Sequence, residues 1–165
     1  MMRLDTRFRE LIRSIAEESA VERCFQCGSC TGGCPAGINV RRLIHESLLG
    51  LRDRVVKSKD VWLCTVCYTC QERCPSGVNV TETMIALRNL SVREKLAPRP
   101  FLNIMRSLFE RAYEFPFTNF TRRLRAELGL EETLPLAVDD PAAAEEIRSL
   151  MKLCGVNEML KAGDD

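Results

Sequence analysis

A single histidine, a single tryptophan and two tyrosines leave this 165-residue chain poor in several side chains from which activity is usually read. The lone His45 has no second histidine to share a metal or haem with, and it reads as a surface or boundary residue. No apolar run approaches the length needed to span a bilayer, so membrane attachment would have to come through a partner. Met1 to Glu10 carries charge and no apolar signal core, so the chain is read as soluble and cytoplasmic, which argues against a disulfide framework. Segments of alternating, β-branched character are also missing, leaving no source of hairpins; the expected fold is mostly α. There is no Gly-x-Gly-x-x-Gly to cradle a flavin or nicotinamide.

Cysteine is what the chain has in quantity, with nine residues, eight of them in two runs that read alike. Cys24, Cys27, Cys30 and Cys34-Pro35 are followed forty positions later by Cys64, Cys67, Cys70 and Cys74-Pro75. Gly37, Asn39 and Val40 recur as Gly77, Asn79 and Val80, so a whole unit is duplicated. Three cysteines at i, i+3 and i+6 wrap a tight loop round one object, with glycines allowing close backbone approach. The fourth is held apart by its proline. This is the spacing of the bacterial ferredoxin run for [4Fe–4S] clusters, in which the fourth cysteine serves the cluster of the other run. The reading is two [4Fe–4S] clusters, one on Cys24, Cys27, Cys30 and Cys74, the other on Cys64, Cys67, Cys70 and Cys34. Structural zinc is the alternative; it prefers two separated Cys-x-x-Cys pairs and leaves the third and fourth cysteines of each run unused. The ninth, Cys154, ends an apolar helical stripe with Leu150, Met151 and Leu153, and is expected to be a small buried hydrophobe that binds no iron.

Net charge is +1, unevenly spread: residues 1–130 hold 21 Lys and Arg against 14 Asp and Glu, residues 131–165 hold 3 against 9. A freely diffusing carrier gains from strong acidity, which steers it to basic partners; this near-neutral body suits a fixed member of a complex. The basic excess is scattered, without stacking aromatics, so nucleic acid is not indicated. Arg52, Arg54, Lys57 and Lys59 form a run that could dock an acidic partner or merely face solvent.

Helical periodicity predicts an amphipathic helix over 5–22, with Phe8, Leu11, Ile12 and Ile15 inward and Asp5 as cap. Asn39 and Asn79 each open a helix after a cysteine run, the second with a capping box ending at Glu82. Trp62 and Tyr68 flank the second run and could shield it from water. Pro98 and Pro100 mark a boundary, which divides the chain into a cluster domain (1–97) and a helical extension (98–165) read as a partner-docking segment. In the extension Tyr113, Phe115, Phe117 and Phe120 form an aromatic patch, and Asp140-Pro141 starts a helix that Gly155 stops.

The stretches 24–35 and 62–75, Cys-Phe-Gln-Cys-Gly-Ser-Cys-Thr-Gly-Gly-Cys-Pro and Trp-Leu-Cys-Thr-Val-Cys-Tyr-Thr-Cys-Gln-Glu-Arg-Cys-Pro, closely resemble the C subunit of heterodisulfide reductase. The resemblance implies an α-helical ferredoxin with no active site of its own. It would relay electrons from the flavin-bearing A subunit to the B subunit, which reduces the mixed disulfide of coenzyme M and coenzyme B. The chain lacks the Cys-Cys-Gly segment typical of the B subunit, so substrate chemistry would lie elsewhere. The cysteine runs alone are shared with iron–sulfur subunits of other reductases and dehydrogenases, and a stand-alone two-cluster ferredoxin also fits them.

Overall fold

In the computed structural model, which describes residues 4–114, 117–131 and 139–162, the described residues form helices and turns and no strand. The mostly helical fold that the missing β pattern implied is what is found. The chain divides into two compact units, Met1–Leu96 and Ala97–Asp165. No helix among the described residues is long and apolar enough to cross a membrane.

Among its described residues the first unit holds seven α-helices: α1 (Phe8–Ile15), α2 (Ser29–Gly32), α3 (Val40–Leu48), α4 (Arg52–Val56), α5 (Asp60–Leu63), α6 (Thr69–Glu72) and α7 (Val80–Arg93). Each cysteine run is a loop followed by a four-residue helix, α2 or α6, and then a longer one, α3 or α7. The core is built from the apolar stripes of α1, α3 and α7, with Phe8, Ile12, Leu43 and Leu87 fully buried. Burying one such side chain is worth roughly 1.5–3 kcal/mol. α1 packs against both α3 and α7, so the N-terminal helix joins the two repeats.

The duplication persists in the core as a trade of sizes. Val40 and Val80 are both buried, as are Ile44 and Met84, but where one repeat has leucine the other has a hydroxyl: Leu43 against Thr83, Ser47 against Leu87, Leu51 against Ser91. Two of these buried hydroxyls are satisfied locally. Ser47 Oγ donates to the Leu43 carbonyl (2.8 Å) and Thr83 Oγ1 to the Asn79 carbonyl (3.1 Å), both one helical turn back.

Several local expectations are revised. The helix expected over 5–22 is α1 alone, followed by 3₁₀ turns at Glu17–Ser19 and Val21–Arg23. Glu17 and Glu18 would extend it with negative charge at its C-terminal end, where the helix dipole disfavours it. Asp5 does not cap α1; its Oδ1 accepts from the Arg7 N–H, and Arg7 is the cap residue. Asn39 does cap α3, accepting from the Arg42 N–H at 3.0 Å. Asn79 makes no such bond on α7, and the capping box does not form. Instead Asn79 Nδ2 donates to the Glu18 carbonyl and its N–H to the Ser19 carbonyl (3.1 Å), tying the second repeat to the turn after α1.

Gly50, at φ +71°, ends the α3 segment, and a Cβ there would run into the Asp5 backbone carbonyl. The Asp5 N–H donates to the Gly50 carbonyl at 2.8 Å, pinning the N-terminal segment. Most of the basic run is spent internally: Arg52 pairs with Asp5 and Glu94, Arg54 with Glu46, and Lys57 with Asp53.

The second unit contains α8 (Arg99–Arg111), α9 (Asn119–Glu127), α10 (Pro141–Leu153) and α11 (Val156–Ala162). α8 starts after Pro98 with Pro100 in its first turn, and packs against α10 and α11. Asp140 caps α10 through the Ala142 and Ala143 N–H groups, and Gly155 follows its end at φ +76°. Phe115 and Pro116 of the aromatic patch lie outside the described residues; Tyr113 and Phe117 are half-buried and Phe120 is exposed. Cys154 is exposed, with Leu150 and Leu153, and only Met151 of that stripe is buried. The expectation of a buried thiol is overturned because the stripe turns inward only at Met151.

Candidate metal centre

Both cysteine runs have the same backbone. Cys24 and Cys64 are extended, each at the end of a short helical turn. Two residues on, Gln26 and Val66 take the left-handed conformation (φ +66° and +55°), and two further on so do Gly28 and Tyr68 (φ +88° and +62°). With these alternations Cys24, Cys27 and Cys30 line one cavity. A β-branched valine at positive φ is an outlier that persists only where its surroundings over-determine it. α2 and α6 then carry Cys30 and Cys70, and Cys34 and Cys74 close the runs ahead of their prolines. The Gly37 and Gly77 N–H groups donate to the Cys34 and Cys74 carbonyls at 3.1 and 3.2 Å.

Each loop is locked to the helix that follows it. Thr31 Oγ1 in α2 accepts from the Arg41 N–H of α3 at 2.9 Å, and Gln71 Oε1 in α6 accepts from the Thr81 N–H of α7 at 3.3 Å. Two different side chains, forty positions apart, thus satisfy the same free donor in a helix's first turn. The second loop has a further brace. Arg88 of α7 donates to the Val61 and Cys64 carbonyls (3.1 and 2.7 Å) and lies 5.8 Å from the centroid of the Trp62 ring, whose Nε1 donates to Ser91 Oγ. Trp62 is therefore a packing residue against α7, whereas Tyr68 is exposed.

The fold brings the last cysteine of the second run to the first three of the first run. Cys24, Cys27, Cys30 and Cys74 line one cavity, walled by Ile44, Val78 and Val80 and by Arg41. In the other group the Cys70 thiol is pushed up first by burial, against a lowering hydrogen bond from Thr81, and further by the charges of Cys64 and Cys67. Cys30 is likewise pushed up by burial, opposed by Thr31, with contributions from Cys24 and Cys70. Gly33 and Arg73, which precede the two fourth cysteines, touch: a Cβ on Gly33 would fall 3.3 Å from Arg73 Cδ.

Cys27 and Cys67 are exposed, and hydrogen bonding with Ser29 and Thr69 holds their thiols below the ordinary value. The other six run cysteines pack half-buried against the core. Two sulfurs receive directed donors: Gln26 Nε2 donates to Cys24 Sγ at 3.2 Å and the Val78 N–H to Cys74 Sγ at 3.3 Å.

Among the described residues no three His, Cys, Asp or Glu side chains converge on a point that would hold a single ion. Four sulfurs spread round an apolar cavity suit a polynuclear group instead, in which each thiolate binds a different iron. The donor set, the cavity and the sulfur-directed donors fit [4Fe–4S] ligation. His45 is exposed on α3 and takes no part in the cavity. The residues that support the sulfurs, Gln26, Ser29, Thr31, Arg41, Thr69, Gln71 and Arg88, were not singled out from the sequence. Extending the forty-residue alignment beyond the identical positions would have paired Ser29 with Thr69 and Thr31 with Gln71.

Residues 19–78 match a family model described as a 4Fe-4S dicluster domain. The C subunit of a ferredoxin/F(420)H(2)-dependent CoB-CoM heterodisulfide reductase from Methanosarcina acetivorans is 37% identical over 156 residues, covering 92% of this chain and 96% of that protein. The C2 subunit of an H(2)/formate:CoB-CoM heterodisulfide,ferredoxin reductase from Methanococcus maripaludis is 36% identical over 148 residues, covering 87% and 80%. The iron-sulfur C subunit of the CoB–CoM heterodisulfide reductase of Methanopyrus kandleri is 34% identical over 151 residues, covering 87% and 79%. By its cysteine geometry and these relatives, the chain belongs to the family of heterodisulfide reductase C subunits, iron–sulfur proteins of electron transfer.

Proposed function

We propose that this chain is the electron relay of a heterodisulfide reductase complex, taking single electrons from the flavin-bearing A subunit, and delivering them to the B subunit, which reduces the coenzyme M–coenzyme B disulfide. The observation that carries the reading is the duplicated four-cysteine loop, with Cys74 lining the cavity of the first run. Site 1 is Cys24, Cys27, Cys30 and Cys74; site 2 is Cys64, Cys67, Cys70 and Cys34. A [4Fe–4S] cluster bound at each supplies one-electron chemistry. The thiolates hold the irons, while Ile44, Val78 and Val80 keep water from the inner side of site 1. Crossed ligands keep the sites adjacent, which suits stepwise passage through the unit.

The chain provides no catalytic constellation of its own in this reading. Eight cysteines are committed as ligands, and among the described residues His45 has no acid–base partner to work with. Relatives named as subunits of a reductase support a hetero-oligomer here. Phe120, Leu124 and Leu128, one turn apart at the α9 segment and all exposed, together with Leu150 and Leu153 offer apolar contact surface to a partner. The exposed Cys27 and Cys67 edges offer each site an outlet to one.

The test is to purify the full chain with its clusters and assay reduction of the coenzyme M–coenzyme B disulfide with a strong artificial donor. Activity that appears only on adding the B subunit is the expected result. Turnover by the chain alone would overturn the relay reading.

A further inference from the structure

The two sites are not electrostatically equivalent, although their backbones are. At site 1, Cys24 Sγ accepts from Gln26 Nε2 (3.2 Å) and Cys74 Sγ from the Val78 N–H (3.3 Å). The guanidinium-bearing Arg41 lines the same cavity, its chain lying over Gly28, where a Cβ would sit 3.8 Å from Nη1. Among the described residues no ion pair engages Arg41, whereas Arg42, Arg52 and Arg54 nearby are each paired with carboxylates. At site 2 the counterparts carry neither group. Gln26 is replaced by Val66, which has no side-chain donor, and Arg41 by Thr81, which is uncharged and whose hydroxyl is 3.8 Å from Cys70 Sγ. Arg73, beside Cys74, extends to Gly33, beside Cys34, and so lies where the two runs meet; Arg88 is spent on backbone carbonyls.

Donors to sulfur and nearby positive charge both stabilise the reduced, more negative form of a cluster and raise its potential. We infer that site 1 is the higher-potential site of this chain, and that Gln26 and Arg41 set the difference from site 2. This rests on the ligation proposed above. Site 1 is then where an electron comes to rest, and the face bearing Cys27, Gln26 and Arg41 is the one from which it leaves.

The experiment is an EPR-monitored redox titration of the full, cluster-loaded chain and of variants that give site 1 the residues of site 2. Arg41→Thr and Gln26→Val are each expected to lower the upper of two midpoints by about threefold in the reduction equilibrium, about 28 mV at 59 mV per tenfold for one electron. The lower midpoint stays in place, and Arg41→Lys, which keeps the charge, retains the upper one. A shift confined to the lower midpoint, or no shift in either variant with iron content intact, overturns the inference. If a variant loses iron, the other variant and Arg41→Lys decide by the same criterion. A wild-type chain without two [4Fe–4S] signals fails at the ligation itself, a result distinguishable from equal midpoints in a fully loaded chain.

Discussion

The first and second cysteine repeats share a backbone down to the left-handed positions, yet differ in most of the non-cysteine side chains around it. In the first, Asn39 caps its own helix, glycine fills one left-handed position, and α3 stops after nine residues. The second is fastened to the rest of the unit. Asn79 reaches the turn after α1, Arg88 and Trp62 brace the loop against α7, and α7 runs for fourteen residues. Metal-site geometry thus constrains the cysteines and the φ angles, while packing constrains what fills them, and duplication lets the two diverge.

The sharpest way to break this comparison is to undo the size trade in the core. Leu87→Ser installs the residue found at Ser47, and is expected to cost at least the roughly 2–5 kcal/mol of a large-to-small core change. Ser47→Leu overpacks the other repeat, at about 1–3 kcal/mol. Urea unfolding of the loaded chain checks both; a Leu87→Ser variant as stable as wild type would show that the trade is incidental.

Next in size is the exchange of caps. Asn39→Ala removes the acceptor for the Arg42 N–H and should cost about 1 kcal/mol. It should speed hydrogen exchange at the start of α3. Asn79→Ala should leave the start of α7 protected, since Gln71 still holds the Thr81 N–H, and should loosen the turn at Glu17–Ser19 instead. Equal loss of protection at both helix starts would erase the distinction.

The smallest effect concerns the left-handed positions. Tyr68→Gly gives the second loop the residue of the first, removing a conformational penalty of roughly 1–2 kcal/mol against a glycine entropy cost of about 0.5–1 kcal/mol. A slight gain in thermal stability is expected, and a clear loss would mean that the Tyr68 side chain holds the loop.

These differences also show what was legible in the sequence. Cysteine spacing and the forty-residue offset were enough to propose the ligand sets, and the apolar stripes of Val40, Leu43 and Ile44 and of Val80, Met84 and Leu87 announced α3 and α7. Asp140-Pro141 announced α10 in the same way, because a cap and a fixed φ act locally. Asn79 could not be read correctly, since its partner, Glu18, lies sixty-one residues away and a cap and a long-range tie use the same amide. Nor could Cys154, whose stripe resembles a buried one until the packing of Met151 is known. Gln26 and Arg41 were hidden because their role depends on a sulfur-lined cavity that exists only once Cys74 arrives.

The position of α1 across both repeats has a consequence for synthesis. Phe8 and Ile12 leave the ribosome before either surface they pack against exists, α3 follows, and α7 is completed last. Until then the first helix has only part of its seat, and the full packing of the first unit awaits translation of the second repeat.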